Sequence, residues 1–124
     1  MGHRIHIRAG GVSLQAELAD TATARAILSA LPLKAEASTW GDEIYFAIPV
    51  KETLDETAVE VVEVGDLGYW PKGSAFCIFF GRTPLSQGNE IRPASAVNRV
   101  GRVLGDATAL KAVQDGDPVE LSLL

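Results

Sequence analysis

The sequence predicts a mainly β fold, a closed barrel of about eight strands with one or two short helices. Many short segments alternate apolar and polar residues with the period of two that a half-buried strand requires. Glycine, proline and aspartate punctuate the chain between these segments, as they do at turns. The helical patterns are too few to cover a parallel sheet, and this leaves a sandwich or a barrel.

The composition indicates one globular domain spanning residues 1–124. The chain is 47% hydrophobic and 22% charged, which is ordinary for a folded protein. Its longest apolar run, Ala75 to Phe80, is far shorter than the ~20 residues of a membrane helix. The N-terminal residues lack the apolar region of a signal peptide, so we expect a cytoplasmic protein without a membrane partner.

Charge and cysteine content exclude several classes of function. The net charge is −5. Nucleic acid binding requires a basic patch, and Arg99 and Arg102 alone do not make one, so no nucleic acid partner is expected. The single cysteine, Cys77, excludes an internal disulfide and a multi-cysteine zinc site.

The chain begins with a predicted hairpin. In residues 3–8, Ile5 and Ile7 share one face and charged residues share the other. Residues 9–11 supply a glycine-containing turn, and residues 12–18 continue the alternation as a second strand.

A helix of about three turns is predicted next, with Asp20 as its N-cap and Pro32 as its stop signal. The apolar residues recur at helical spacing: Ala24, Ile27, Leu28 and Leu31.

Residues 33–40 and 43–49 flank Gly41-Asp42 and predict a second hairpin. Residues 59–64 are strongly β-forming. Residues 65–73 contain three glycines and a proline, which predicts an ordered loop.

The second half alternates strands with irregular segments. Residues 75–80 predict a strand buried on both faces, because all six are apolar. A loop is expected over 81–93, a strand over 96–104, a short helix over 107–113, and a closing strand over 118–124.

The histidines and the cysteine do not predict a metal or covalent site. His3 and His6 are three apart, so a strand places them on opposite faces and they cannot chelate one metal. Cys77 has aromatic and aliphatic neighbours and no adjacent base, which is typical of a small buried hydrophobe. Phosphate-loop, dinucleotide and nucleophile-elbow motifs are absent, so no cofactor is expected.

Residues 68–84 contain five of the eight aromatic residues of the chain. Tyrosine and tryptophan in a glycine- and proline-rich segment offer large rigid surfaces for a ligand, and they equally often anchor a loop to the core. The candidate ligand-binding residues in this segment are Tyr69, Trp70, Phe79, Arg82 and Thr83.

The stretch from Tyr69 to Pro84, Y-W-P-x-G-x-A-x-C-I-F-F-G-x-T-P, resembles the small bacterial and archaeal cyclophilin-like proteins of uncharacterised function. The length, the opening hairpin and helix, and the closing strand agree with this resemblance. It implies an eight-stranded cyclophilin-like barrel. A related barrel occurs in subunits of allophanate hydrolase-like enzymes, which leaves an assembly role open.

Cyclophilins are peptidyl-prolyl isomerases, and the resemblance raises the question of that activity. An isomerase needs an apolar pocket for the proline ring and a cationic donor that favours the twisted amide. In cyclophilins an arginine supplies the donor in a segment like K-G-S-x-F-H-R. Here Lys72 to Phe76 match that segment, and Ile78 stands where the arginine is expected. Arg82 lies four residues later, ~13 Å further along a strand at ~3.3 Å per residue.

The sequence therefore favours a domain that binds a small molecule or an extended, proline-containing peptide near Tyr69–Pro84, without efficient prolyl isomerisation. A weak isomerase that uses Arg82 as its electrophile is one alternative. An interaction subunit of a larger enzyme is another. The oligomeric state is left open.

Overall fold

A computed structural model describes residues 2–124. Within this range the chain forms ten strands, one α-helix and two 3-10 turns. In chain order they are β1 (His3–Ala9), β2 (Val12–Leu18), α1 (Ala22–Ala30), β3 (Leu33–Glu36), β4 (Ser38–Thr39), β5 (Glu43–Ala47), β6 (Ala58–Val59), β7 (Asp66–Trp70), a 3-10 turn (Pro71–Gly73), β8 (Ala75–Phe79), β9 (Val97–Leu104), a 3-10 turn (Ala107–Ala112) and β10 (Pro118–Leu123).

All the strands belong to one antiparallel sheet, in the order β3-β10-β1-β2-β9-β7-β8-β5-β4, with β6 paired to β9. The mainly β prediction is confirmed. Eight strands have four or more residues, and β4 and β6 have two each. In the described chain β3 and β4, the ends of this path, do not pair with each other, although only Ala37 separates them in sequence. Within residues 2–124 the sheet is therefore not closed by hydrogen bonds, and the predicted closed barrel is not confirmed.

The main core fills one face of this sheet. Strand alternation sends Ile44 and Phe46 of β5, and Phe76 and Ile78 of β8, into it. The rings of Phe46 and Phe76 stack with centroids 5.6 Å apart. Helix α1 covers part of the core through Ile27, which is fully buried. None of the helices in residues 2–124 has both the length and the apolar character that crossing a membrane demands.

A second, smaller cluster lies on the opposite face of β8. Ala75, Cys77 and Phe79 point into it and meet Ile91 and Val97, which come from the segment before β9 and from β9 itself. All five residues of β8 are buried. The prediction of a strand buried on both faces is confirmed, and the second face is the one that carries the candidate site described below.

The prediction of an ordered loop over residues 65–73 is wrong, because Asp66–Trp70 forms strand β7 between β8 and β9. Its glycine has a packing reason: a Cβ at Gly68 would come within 3.0 Å of the Val97 side chain. Residues 59–64 show the reverse error. Their pairing is limited to the end of β6 and a single bridge between Val62 and Ile91.

Both predicted helices are present, but the predicted N-cap of the first is wrong. The N-cap of α1 is Thr21, whose side chain accepts a hydrogen bond from the amide of Ala24 at 3.2 Å. Asp20 instead pairs with Arg25 at 2.8 Å. The short helix predicted over residues 107–113 is present as a 3-10 helix over Ala107–Ala112. At the C-terminal end, Leu123 does not share the burial of Val119 and Leu121 and is 62% exposed.

Strands β2 and β9 approach each other closely at Gly101, and this contact yields a test of the fold. A Cβ at this position would lie 2.1 Å from the carbonyl oxygen of Glu17. We expect Gly101→Ala to destabilise the protein by about 2 kcal/mol or more, because backbone atoms must shift to admit the methyl group. The control is Gly11→Ala, since a Cβ there meets nothing within 4 Å. Urea denaturation measures both, and equal stabilities would contradict the close approach.

Candidate functional site

A cavity of about 210 Å³ lies on the outer side of the sheet, over β5 and β8. Three aromatic side chains line it together with a carboxyl, a thiol and the apolar segment that leads into β9. The lining residues are Trp40, Glu43, Tyr45, Trp70, Cys77, Pro93, Ala94 and Val97.

Strand alternation explains why these residues meet. Glu43 and Tyr45 point outward from β5 because Ile44 and Phe46 point into the main core. Tyr45 lies opposite Cys77 in the ladder between β5 and β8. The same outward face of β8 forms the floor of the cavity.

The two tryptophans form opposite ends of the wall. Trp40 is in the turn between β4 and β5, where its amide donates to the carbonyl of Glu43 at 3.0 Å. Trp70 ends β7, and its indole Nε1 donates to Ser95 Oγ at 2.6 Å. A Cβ on Gly73 would lie 2.8 Å from the Trp70 ring, so glycine there lets the ring pack against the backbone. The chain has no other tryptophan.

Glu43 is the chemically distinctive group of the site. Its residue surface is 5% exposed, and its Oε1 atom has no hydrogen-bond partner. Burial raises the pKa of this carboxyl to about 7, against a smaller opposing effect of a hydrogen bond with the Cys77 thiol. Burial and the neighbouring Glu43 raise the pKa of Cys77 well above its usual value, so the thiol is protonated and not nucleophilic.

The segment between β8 and β9 covers part of this face and is fixed by its own hydrogen bonds. The Thr83 hydroxyl donates to the carbonyl of Arg92. Ser86 Oγ accepts from the amides of Thr83 and Arg92, at 3.0 and 3.1 Å. These bonds hold the segment that carries Pro93 over the cavity.

Of the candidate ligand-binding residues in the sequence, Trp70 lines the cavity. Tyr69 lies on the opposite face of β7 and is fully buried in the main core. Its hydroxyl donates to the carbonyl of Val50 at 2.5 Å and accepts from the amide of Glu52 at 3.2 Å. Tyr69 is thus a loop-to-core anchor. Phe79 is fully buried in the outer cluster.

Arg82 and Thr83 lie outside the cavity lining. The exposed Arg82 guanidinium donates to the carbonyl of Ser86 at 3.0 Å. Ile78, where cyclophilins have the arginine, is fully buried in the main core, on the face away from the cavity. Trp40, Glu43 and Tyr45 were not found from the sequence. For Glu43 and Tyr45, the available sequence signal is a glutamate and an aromatic residue two positions apart in a strand whose other face is apolar.

Two further features help to define the site by contrast. A larger open groove of about 490 Å³ contains Asp66 and Arg99, but these two pair with each other at 3.4 Å. Within residues 2–124 no three His, Cys, Asp or Glu side chains are grouped so as to hold a metal ion. Among the described residues, the buried side-chain polar atom without a hydrogen-bond partner is Glu43 Oε1, which belongs to a residue lining the small cavity.

This fold and cavity define a small β domain with an aromatic pocket on the outer face of its sheet. The family model described as cyclophilin-like matches residues 3–122, and the chain belongs to that family. Its structure is similar to the solution structure of the hypothetical protein AF2241 from Archaeoglobus fulgidus, with a TM-score of 0.85 and 44% sequence identity. That alignment covers 99% of this chain and 95% of the other. The comparison with curated proteins gives no match.

The raised pKa of Glu43 predicts a specific pH dependence of stability. A carboxyl whose folded pKa exceeds its unfolded value binds more protons when folded, so stability falls as the pH rises from about 4.5 to about 7. Glu43→Gln removes this effect. As the pH rises from about 4 to about 8, the unfolding free energy of Glu43→Gln should increase by about 3 kcal/mol relative to that of wild type. Urea denaturation across this range measures the change.

The control for this experiment is Glu90→Gln. The hydrogen bond from Arg92 lowers the pKa of the partly buried Glu90. The contribution of Glu90 to stability is therefore lost as the pH falls. The stability of Glu90→Gln relative to wild type should decrease as the pH rises, which is the opposite trend. A Glu43→Gln difference that does not vary with pH would contradict the assigned burial.

Proposed function

We propose that this protein is a ligand-binding domain whose site is the aromatic cavity over β5 and β8, and that it does not isomerise prolyl bonds efficiently. The observation that carries the proposal is the buried Glu43 carboxyl, with a free oxygen, among Trp40, Tyr45 and Trp70. Ligand sites typically combine apolar and aromatic walls with a few polar groups that fix orientation. Buried polar groups without partners are rare in native structures and call for an explanation.

The size of the cavity limits its ligand. About 210 Å³ is below the roughly 300–1,000 Å³ of sites that enclose drug-sized molecules. The ligand is then a small molecule, or one protruding group of a larger one such as an extended peptide. The neighbouring groove along Ala35, Glu36 and Ala47 shares Tyr45 and Trp70 with the cavity and offers room for the rest of such a molecule.

Efficient isomerisation is disfavoured by the placement of cations. Prolyl isomerisation is accelerated by a positioned donor that favours the twisted amide. The residues described around the cavity include no lysine or arginine. The position of the expected arginine is an isoleucine inside the main core, and the Arg82 guanidinium is bonded to a carbonyl elsewhere.

The two tryptophans make the binding test direct. Because Trp40 and Trp70 are the only ones in the chain and both line the cavity, the two indole N–H signals of an NMR spectrum report on this site alone. We expect members of a small-fragment library to shift both signals. Trp70→Phe should weaken binding of the best fragment by about tenfold, since it loses ring area and the bond to Ser95.

The matched control is Arg82→Ala, which removes an exposed residue outside the cavity and should leave the affinity unchanged. Exchange spectra of X-Pro peptides, with and without the protein, measure isomerisation in the same samples. A library that shifts neither indole signal would refute the proposal. Accelerated exchange that disappears in Arg82→Ala would instead establish the isomerase alternative.

A further inference from the structure

We propose that the group bound in this cavity is a small alkylammonium cation, held by the Glu43 carboxylate and enclosed by Trp40, Tyr45 and Trp70. This inference rests on the proposed function and adds the chemical class of the ligand. The cation belongs either to a free amine or to an alkylated lysine side chain of a peptide. The chemistry of recognition is the same in both.

The free carboxyl oxygen calls for a donor. Glu43 Oε1 is buried without a partner, and a carboxylate in that state is costly until a donor satisfies it. The residues that line the cavity supply no lysine, arginine or histidine that could do so from within. An ammonium N–H makes a charge-assisted hydrogen bond with a carboxylate, which is roughly twice as strong as a neutral one.

The aromatic walls select an organic cation over an inorganic one. Tryptophan is the best aromatic partner of a cation, and tyrosine follows it. Alkyl groups on the nitrogen fill the apolar space against Pro93 and Val97, which a hydrated metal ion would leave unused. Magnesium and calcium also require about six or more oxygen ligands, whereas this cavity offers the oxygens of one carboxyl and one phenol.

The charge of the site disfavours anions. Glu43 would repel a carboxylate or phosphate at close range, and the net charge of the chain is −5. A neutral alcohol or amide would donate a hydrogen bond to Oε1 but would lack the attraction between opposite charges. The ligand class that uses the acid, the rings and the apolar wall together is an alkylated ammonium.

The affinity for such a cation should follow the ionisation of Glu43. Cys77 of β8 and Tyr45 of β5 are the other ionisable groups lining the cavity. The lining residues from the β4–β5 turn, β7, the loop before β9 and β9 itself carry no charge. Because the cation binds the ionised carboxyl, its affinity should rise about tenfold per pH unit until about pH 7 and then level off.

The test compares trimethylammonium with tert-butanol, which has nearly the same shape and one donor but no charge. Titrations are followed by the two indole N–H signals at about pH 8. We expect trimethylammonium to bind at least about tenfold more tightly, as a hydrogen bond between charged groups gives. Glu43→Gln should bring the affinities of the two probes to within about threefold of each other. The pH profile of the wild-type protein should show the rise described above for the cation alone.

The comparison of the two probes on wild-type protein needs no variant, so the inference is testable even if Glu43→Gln folds poorly. Equal affinities of the two probes, or a cation affinity that does not change with pH, would overturn it. If tert-butanol or library fragments still shift the indole signals, the proposed function survives that failure. If no compound shifts them, both fail. A dimethyllysine peptide tested against free dimethylammonium then distinguishes the two sources of the cation.

Discussion

The burial of β8 on both faces is the constraint on which the rest of this structure depends. One face belongs to the main core, and the other carries Cys77 and Phe79, whose exposure would forfeit roughly 25 cal/mol for each Å² of apolar surface. The chain covers this second face with Ile91, on a segment held by Thr83, and with Val97 of β9. The cavity is the part of the outer face that this cover leaves open.

A carboxyl at the edge of such a buried face is costly to desolvate, and the fold does not require one there. Glu43 begins β5 opposite Phe79, and an apolar residue there would pack without desolvating a carboxyl. Departures from the rules of stable packing concentrate at functional sites. This cost is one reason for proposing the acid and the rings around it as a binding site.

The fold followed from local patterns, whereas the site depended on contacts between distant segments. The alternation within β1 and β2 and the unbroken apolar run of β8 are visible in the sequence, because the residues of each strand themselves indicate which of its faces are buried. Strand β7 was missed because glycine is needed at position 68 for the close packing of Val97, which is far away in the sequence. Glu43 follows a turn and has the pattern of an ordinary solvated residue. Its burial depends on tertiary structure: it pairs with Phe79 of β8 and lines the cavity together with Pro93, which is distant in sequence.

The aromatic pair in β7 divides in the same way. Adjacent residues of a strand point to opposite faces, so Tyr69 and Trp70 could not both serve one site. The sequence left anchoring and ligand contact open. The structure has Tyr69 bonded to Val50 in the core and Trp70 at the cavity.

The junction at Ala37 has a consequence for slow motions of the sheet. The first and last strands of the ladder meet through this residue, which bonds to the backbone of Gly116 and Asp117 instead of to a neighbouring edge. Partial unfolding starts where strands have a neighbour on one side only, so the backbone amides that flank Ala37 should exchange with deuterium before those of the central strands. The two ends of the strand ladder therefore meet beside Tyr45 and Trp70, which line both the cavity and the neighbouring groove.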